Sequence, residues 1–230
     1  MIFGIFKFIG AVLFLYLTWR NLRENYQEEK LISYSWLAIL AFLAGGRIIF
    51  GLINWGVWND NWTDWLSFWQ KPGFNYWGGI SALMVSTGWY CRVNDWKLWA
   101  FFEDLTPNIY ILGVFLSLEE WIRSGFNPMI GVYVLTAVIG LAVVQLVSKK
   151  YRSYGWYKTG KKGFGFFFTN MVVFLILALV GVIIYKNYLI AVIWTVLGLL
   201  SLTGLFILGE VFDDLLVASQ RRDNEKQEKS

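Results

Sequence analysis

Histidine is missing from these 230 residues, and cysteine occurs once, at Cys91. Without them the usual ligand sets for zinc, haem and iron–sulfur clusters cannot be assembled. A Ser-His-Asp or Cys-His catalytic group is excluded on the same ground, and a lone cysteine permits no internal disulfide. No cofactor is expected. Charge is also scarce, at 16% of residues against 57% hydrophobic, a balance unlike that of a soluble domain. The short alternating segments of an outer-membrane barrel are absent too.

What the chain has instead is seven apolar runs, at roughly 1–19, 31–54, 73–91, 98–122, 128–148, 164–185 and 187–209. Each is close to the ~20 residues a helix needs to cross the hydrocarbon core. Backbone amides in lipid must be satisfied within the segment, so helices are the expected spanning form. The connectors then sort by charge. Arg20, Arg23 and Lys30, then Arg92 and Lys97, then Lys149, Lys150, Arg152, Lys158, Lys161 and Lys162, then Arg221, Arg222, Lys226 and Lys229 alternate with connectors holding only Lys71, Arg123 and Lys186. Basic residues beside spans stay cytoplasmic, which predicts an outside N-terminus and an inside C-terminus. The net charge of +4 therefore reports orientation, not nucleic-acid binding. Lys7 is the one early cation, and no small-residue cleavage pattern follows, so the first run reads as a retained span.

Between the second and third runs, Trp55, Trp58, Trp62, Trp65 and Trp69 recur at spacings of 3 and 4. On a helix they fall within an arc of roughly 80°, opposite Asp60 and Asp64. This predicts an amphipathic helix at about 55–70, lying flat in the external membrane interface. The expected fold is all-α: a polytopic membrane helical bundle of seven transmembrane helices plus this interfacial helix, as one domain over 1–218. The polar stretch 219–230 is expected to be a disordered cytoplasmic tail. The basic connector 149–163 can attract anionic headgroups, although a topology signal explains it as well.

Ionisable groups inside spans are costly and are the default functional candidates. Arg47, in AGGRIIFG, lies about 10 Å below the outer end of its run. Gly45 and Gly46 beside it allow close approach, and a guanidinium there can grip a phosphate. Glu119 and Glu120 sit near the outer end of the fourth run, with Arg123 one turn on. Asn75, Gly78 and Gly79 open the third run at similar depth. These residues are expected to converge on an outer site, with a structural salt bridge as the plainer alternative. Pro107 lies well inside the fourth run and is expected to kink it. Glu103 and Asp104, near its cytoplasmic end, read as solvated or hydrogen-bonded structural groups.

The order LAGGRIIFGLIN, an aromatic external segment, FNYWGGISA, a short basic turn and WAFFEDLTPNIYILG resembles the prolipoprotein diacylglyceryl transferase family. That family has a Gly-Gly/Ala-Arg motif ending its second span, an F-H-G-G start to its third, and a D-L-x-x-P motif matched by Asp104, Leu105 and Pro107. The likeness extends to Arg20-Asn21-Leu22-Arg23 and to Asn127-Pro128, and covers about residues 10–185. It implies seven spans, a phosphatidylglycerol donor and a lipoprotein precursor peptide whose cysteine thiol receives the diacylglyceryl group. It further implies Arg47 as phosphate binder and Gly78-Gly79 as the family's double glycine. The departures are equally specific. Trp77 stands where the family has histidine. VFLSLEEWIRSG replaces its G-R-I-G-N-F-x-N-G-E signature, and the late R-F-x-x-E motif is missing. Two readings stay open: a divergent transferase using Glu119 or Glu120 as base with Arg123 as second cation, or a non-catalytic homologue that binds phospholipid or precursors, or scaffolds membrane proteins.

Overall fold

The computed structural model of the chain describes residues 5–55, 75–154, 157 and 159–210. The expected tryptophan helix, from residue 56 onward, and the tail at 219–230 lie outside the described residues. Among the described residues there is no strand, and seven α-helices form over the seven apolar runs: α1 (Ile5–Leu22), α2 (Glu28–Ile53), α3 (Tyr76–Val93), α4 (Leu98–Arg123), α5 (Pro128–Lys150), α6 (Phe164–Ile183) and α7 (Tyr188–Leu208).

Their ends follow local chemistry. Asn75 caps α3 by accepting from the Gly78 N–H at 2.9 Å, and Asn187 does the same for α7 through the Ile190 N–H. Pro128 opens α5, where its missing N–H costs nothing. Glu28 and Glu29 face the positive start of α2, while Lys149 and Lys150 face the negative end of α5. Among the described residues, five helices are long and apolar enough to cross a membrane: α1, α2, α6, α7 and the stretch of α5 continued to Ser153. The chain is a membrane protein. The sequence reading counted seven spans; α3 is diluted by Tyr76, Trp77, Trp89, Tyr90 and Arg92, and α4 by Glu103, Asp104, Glu119 and Glu120.

The chain divides into two compact units, one of Leu15–Leu98 and one of Met1–Phe14 with Trp99–Ser230. In the first, α2 and α3 run against each other and are tied by the Tyr34 and Thr87 hydroxyls at 2.9 Å and by the Tyr90 hydroxyl donating to the Lys30 carbonyl. In the second, α6 and α7 pack through small residues: a Cβ on Gly204 would lie 2.4 Å from the Phe167 ring, and one on Gly181 would lie 3.2 Å from Ala191. Lipid offers no hydrophobic gain for helix pairing, so such notches supply the dispersion contact instead.

α4 continues through Pro107 and organises the second unit. Near its start, the buried Glu103 carboxylate accepts from the N–H groups of Gly163 at 2.6 Å and Gly165 at 3.0 Å. These are orphan donors at the beginning of α6, and an anion there also meets the positive end of the helix dipole. The basic connector is folded onto the same end. Lys162 meets Asp104 at 3.3 Å, Lys161 meets Glu210, and the buried Tyr157 donates its hydroxyl to the Lys161 carbonyl. Burial pushes the Tyr157 phenol above its ordinary pKa, keeping it a neutral donor. Gly163 is required in this turn: its φ is 118°, and a Cβ would stand 2.9 Å from both Trp99 and Leu208.

Removing this carboxylate strips two charge-assisted bonds at once. Glu103→Ala is expected to cost at least ~2 kcal/mol, read as a lowered unfolding midpoint in detergent. Lys162→Gln, which breaks a partly exposed pair, should cost under ~1 kcal/mol.

Candidate functional site

The glycines flanking Arg47 come first, because they set how closely anything can approach it. A Cβ on Gly45 would lie 2.2 Å from the Ala82 Cβ and 2.7 Å from the Gly78 carbonyl oxygen. A Cβ on Gly78 would lie 2.5 Å from Ile49 and 2.8 Å from the Gly45 carbonyl, and one on Gly79 would lie 2.9 Å from the Phe42 carbonyl. Helices α2 and α3 therefore cross backbone against backbone. The Asn75 N–H donates to the Gly46 carbonyl at 3.0 Å, fixing the start of α3 to the residue just before Arg47. Arg47 itself is 3% exposed. Asn75, Gly78 and Gly79 are thus brought together with the Arg47 segment, in the unit Leu15–Leu98. Their observed work is to build the crossing beside which the guanidinium is held.

The remaining candidates lie in the other unit. Glu119 is buried near the end of α4, and its Oε2 accepts from the backbone N–H of Lys7 at 3.0 Å. Its Oε1 lies 3.1 Å from the Lys7 ammonium. Lys7 is in the first turn of α1, so Glu119 serves α1 as Glu103 serves α6. Glu120 pairs with Arg123, one turn on, at 2.6 Å. An i,i+3 pair on a partly exposed helix end contributes little to stability, and it leaves both side chains partly exposed. Glu119, Glu120 and Arg123 are therefore grouped by the structure, with Lys7 as a fourth member.

Sequence reasoning treated Lys7 only as an early charge and did not anticipate its pairing with Glu119. The available signal was that two apolar runs each carried a charge of opposite sign near one end. Among the described residues no three acidic or cysteine side chains gather to hold a metal ion. An open groove of about 490 Å³ lies along α3 at Val85, Gly88, Trp89 and Arg92, with buried Cys91 beside it. It begins about 10 Å along the helix from Gly78 and includes none of the candidate residues.

A family model described as prolipoprotein diacylglyceryl transferase matches residues 1–117, just over half of the chain. No curated protein matches.

The crossing gives a paired prediction. Gly45→Val forces a side chain into backbone and should cost roughly 1–3 kcal/mol, read as a lowered unfolding midpoint. Gly88→Ala, on the same helix pair but with nothing within 4 Å of the new Cβ, should leave the midpoint unchanged.

Proposed function

The chain belongs to the prolipoprotein diacylglyceryl transferase family, and from that premise we propose that it moves the diacylglyceryl group of phosphatidylglycerol to the lipobox cysteine thiol of a lipoprotein precursor. The setting is the outer leaflet of a bacterial plasma membrane, crossed seven times, with the N-terminus outside and the basic connectors in the cytoplasm. The observation that carries this reading is the buried Arg47 beside the Gly45–Gly78 crossing, inside the matched region.

The chemistry asks for a proton acceptor and for cations. The precursor's thiol gives its proton to Glu119 or Glu120. Its sulfur then bonds to the glyceryl carbon as the bond from that carbon to the phosphate oxygen breaks. The electron pair leaves on the phosphate of glycerol phosphate, whose developing charge a guanidinium, that of Arg47 or of Arg123, can stabilise. The substrate supplies the nucleophile, so buried Cys91 has no part.

A second reading has its own support. Trp77 stands where the family has its histidine, and the Glu119 carboxylate is already committed to α1. Both favour a homologue that binds phospholipid or precursor without turning it over.

Purified protein given phosphatidylglycerol and a lipobox peptide is expected to yield a diacylglyceryl thioether, detectable by mass spectrometry. Binding without product would select the second reading. Under either, Arg47→Ala should weaken phosphatidylglycerol binding roughly tenfold, about the worth of one charge-assisted bond. Unchanged affinity removes Arg47 from the site.

A further inference from the structure

The pair formed by Lys7 and Glu119 is asymmetric. The acid is enclosed, with a side chain 3% exposed, while the lysine side chain is 39% exposed. One carboxylate oxygen is held by the backbone N–H of Lys7 and the other by its ammonium. The backbone bond does not depend on where the ammonium points. If the ammonium turns to another anion, Glu119 stays attached to α1 through that backbone bond. A lysine ammonium has three donors on a flexible stem, so it can share itself between a carboxylate and an arriving phosphate. Arg123 lies four residues beyond Glu119, on the same side of α4, and its side chain is 55% exposed. Lys7 and Arg123 thus each pair with a carboxylate at this end of α4, and of the two acids Glu119 is the enclosed one.

We propose that Lys7 is a specificity-determining residue: it binds the phosphate diester of an anionic phospholipid headgroup, and Glu119 is the internal counterion that the headgroup must displace. This rests on the lipid-substrate reading above and adds to it a residue outside every motif of the family resemblance. Glu119 then sets how strongly an anion must bind to draw the ammonium away. A neutral or zwitterionic headgroup offers no net charge to offset the loss of the ion pair, so phosphatidylglycerol is selected over phosphatidylcholine.

The two members of the pair therefore act in opposite directions on lipid binding, although losing either one breaks the same salt bridge. Full-length protein in detergent is titrated with dioleoyl phosphatidylglycerol, dioleoyl phosphatidylcholine or soluble glycerol phosphate, and retained ligand is read by native mass spectrometry. Lys7→Gln should weaken phosphatidylglycerol binding ~3–10-fold, and Lys7→Arg should restore it. Glu119→Gln keeps an oxygen for the Lys7 N–H but removes the carboxylate charge facing the ammonium, so it should tighten binding by a similar factor. Phosphatidylcholine should respond to none of these changes. Equal losses in both variants, or no change in either, would make the pair structural only and overturn the proposal. If Lys7→Gln does not fold, Glu119→Gln decides alone: tighter binding supports the proposal, and unchanged or weaker binding rejects it. Glycerol phosphate bound as tightly as the lipid would reject a headgroup in favour of a free phosphate. The thioether assay separates this from the proposed activity: lipid binding that depends on Lys7 without product rejects the transferase and keeps Lys7. Product together with Lys7-independent binding does the reverse.

Discussion

The first turn of a helix leaves amide hydrogens with no carbonyl of their own, and a bilayer offers no water to take them. The unit built around α4 meets this constraint twice with the same device. Glu103, near one end of α4, receives two N–H groups from the start of α6. Glu119, near the other, receives one from the first turn of α1. Sixteen residues separate the two acids, about 24 Å along a helix. The starts of α1 and α6 are therefore fixed at opposite ends of α4, and two carboxylates that would be intolerable alone in hydrocarbon become the anchors of the unit. The basic connector before α6 follows from the first anchor. With Gly163 held by Glu103, Lys162 falls beside Asp104 and Tyr157 is buried over the turn.

The same economy limits what the acids can do chemically. Glu103 spends its Oε2 on two backbone donors and packs against Gly165 of the glycine turn, which marks it as structural. Glu119 differs in one respect: its second oxygen goes to a side-chain cation that is partly exposed. A buried carboxylate with one fixed partner and one partly exposed partner can change its electrostatic surroundings without losing its place.

Much of the fold was legible in the sequence. The apolar runs lie within a few residues of the helices, because hydrocarbon thickness fixes length and backbone satisfaction fixes type. Local caps were readable in principle: Asn75 before Tyr76 and Pro128 after Asn127 are signals confined to one turn. The double glycines were rightly singled out for close approach, and the crossing of α2 and α3 runs through them. The ion pairs were not readable. Lys7 and Glu119 are 112 residues apart, and Glu103 and Gly163 are 60 apart. Nothing in the period of one helix states which neighbour it meets, or in which register. Glu103 was expected to be solvated or hydrogen-bonded, but its partners, two glycine amides, carry no side-chain signature that could name them.

The extent of the family match sharpens the functional argument. Residues 1–117 include Arg47, the Gly78-Gly79 pair and the Asp104-Leu105-Pro107 motif, and they end two residues before Glu119. The stretch from Val114 to Gly125, which replaces the family's second signature, straddles that limit. Within it stand Glu119, Glu120 and Arg123, and the partner of Glu119 comes from the start of the chain. The matched region keeps the Arg47 segment and its glycine crossing, while the family's later arginine and asparagine have no counterparts in this stretch. An ammonium placed against a carboxylate is a physically sufficient replacement for charge, though not for the planar fork of a guanidinium. Such a site would be tuned by competition inside the pair, which makes its affinity depend on Glu119 as much as on any cation.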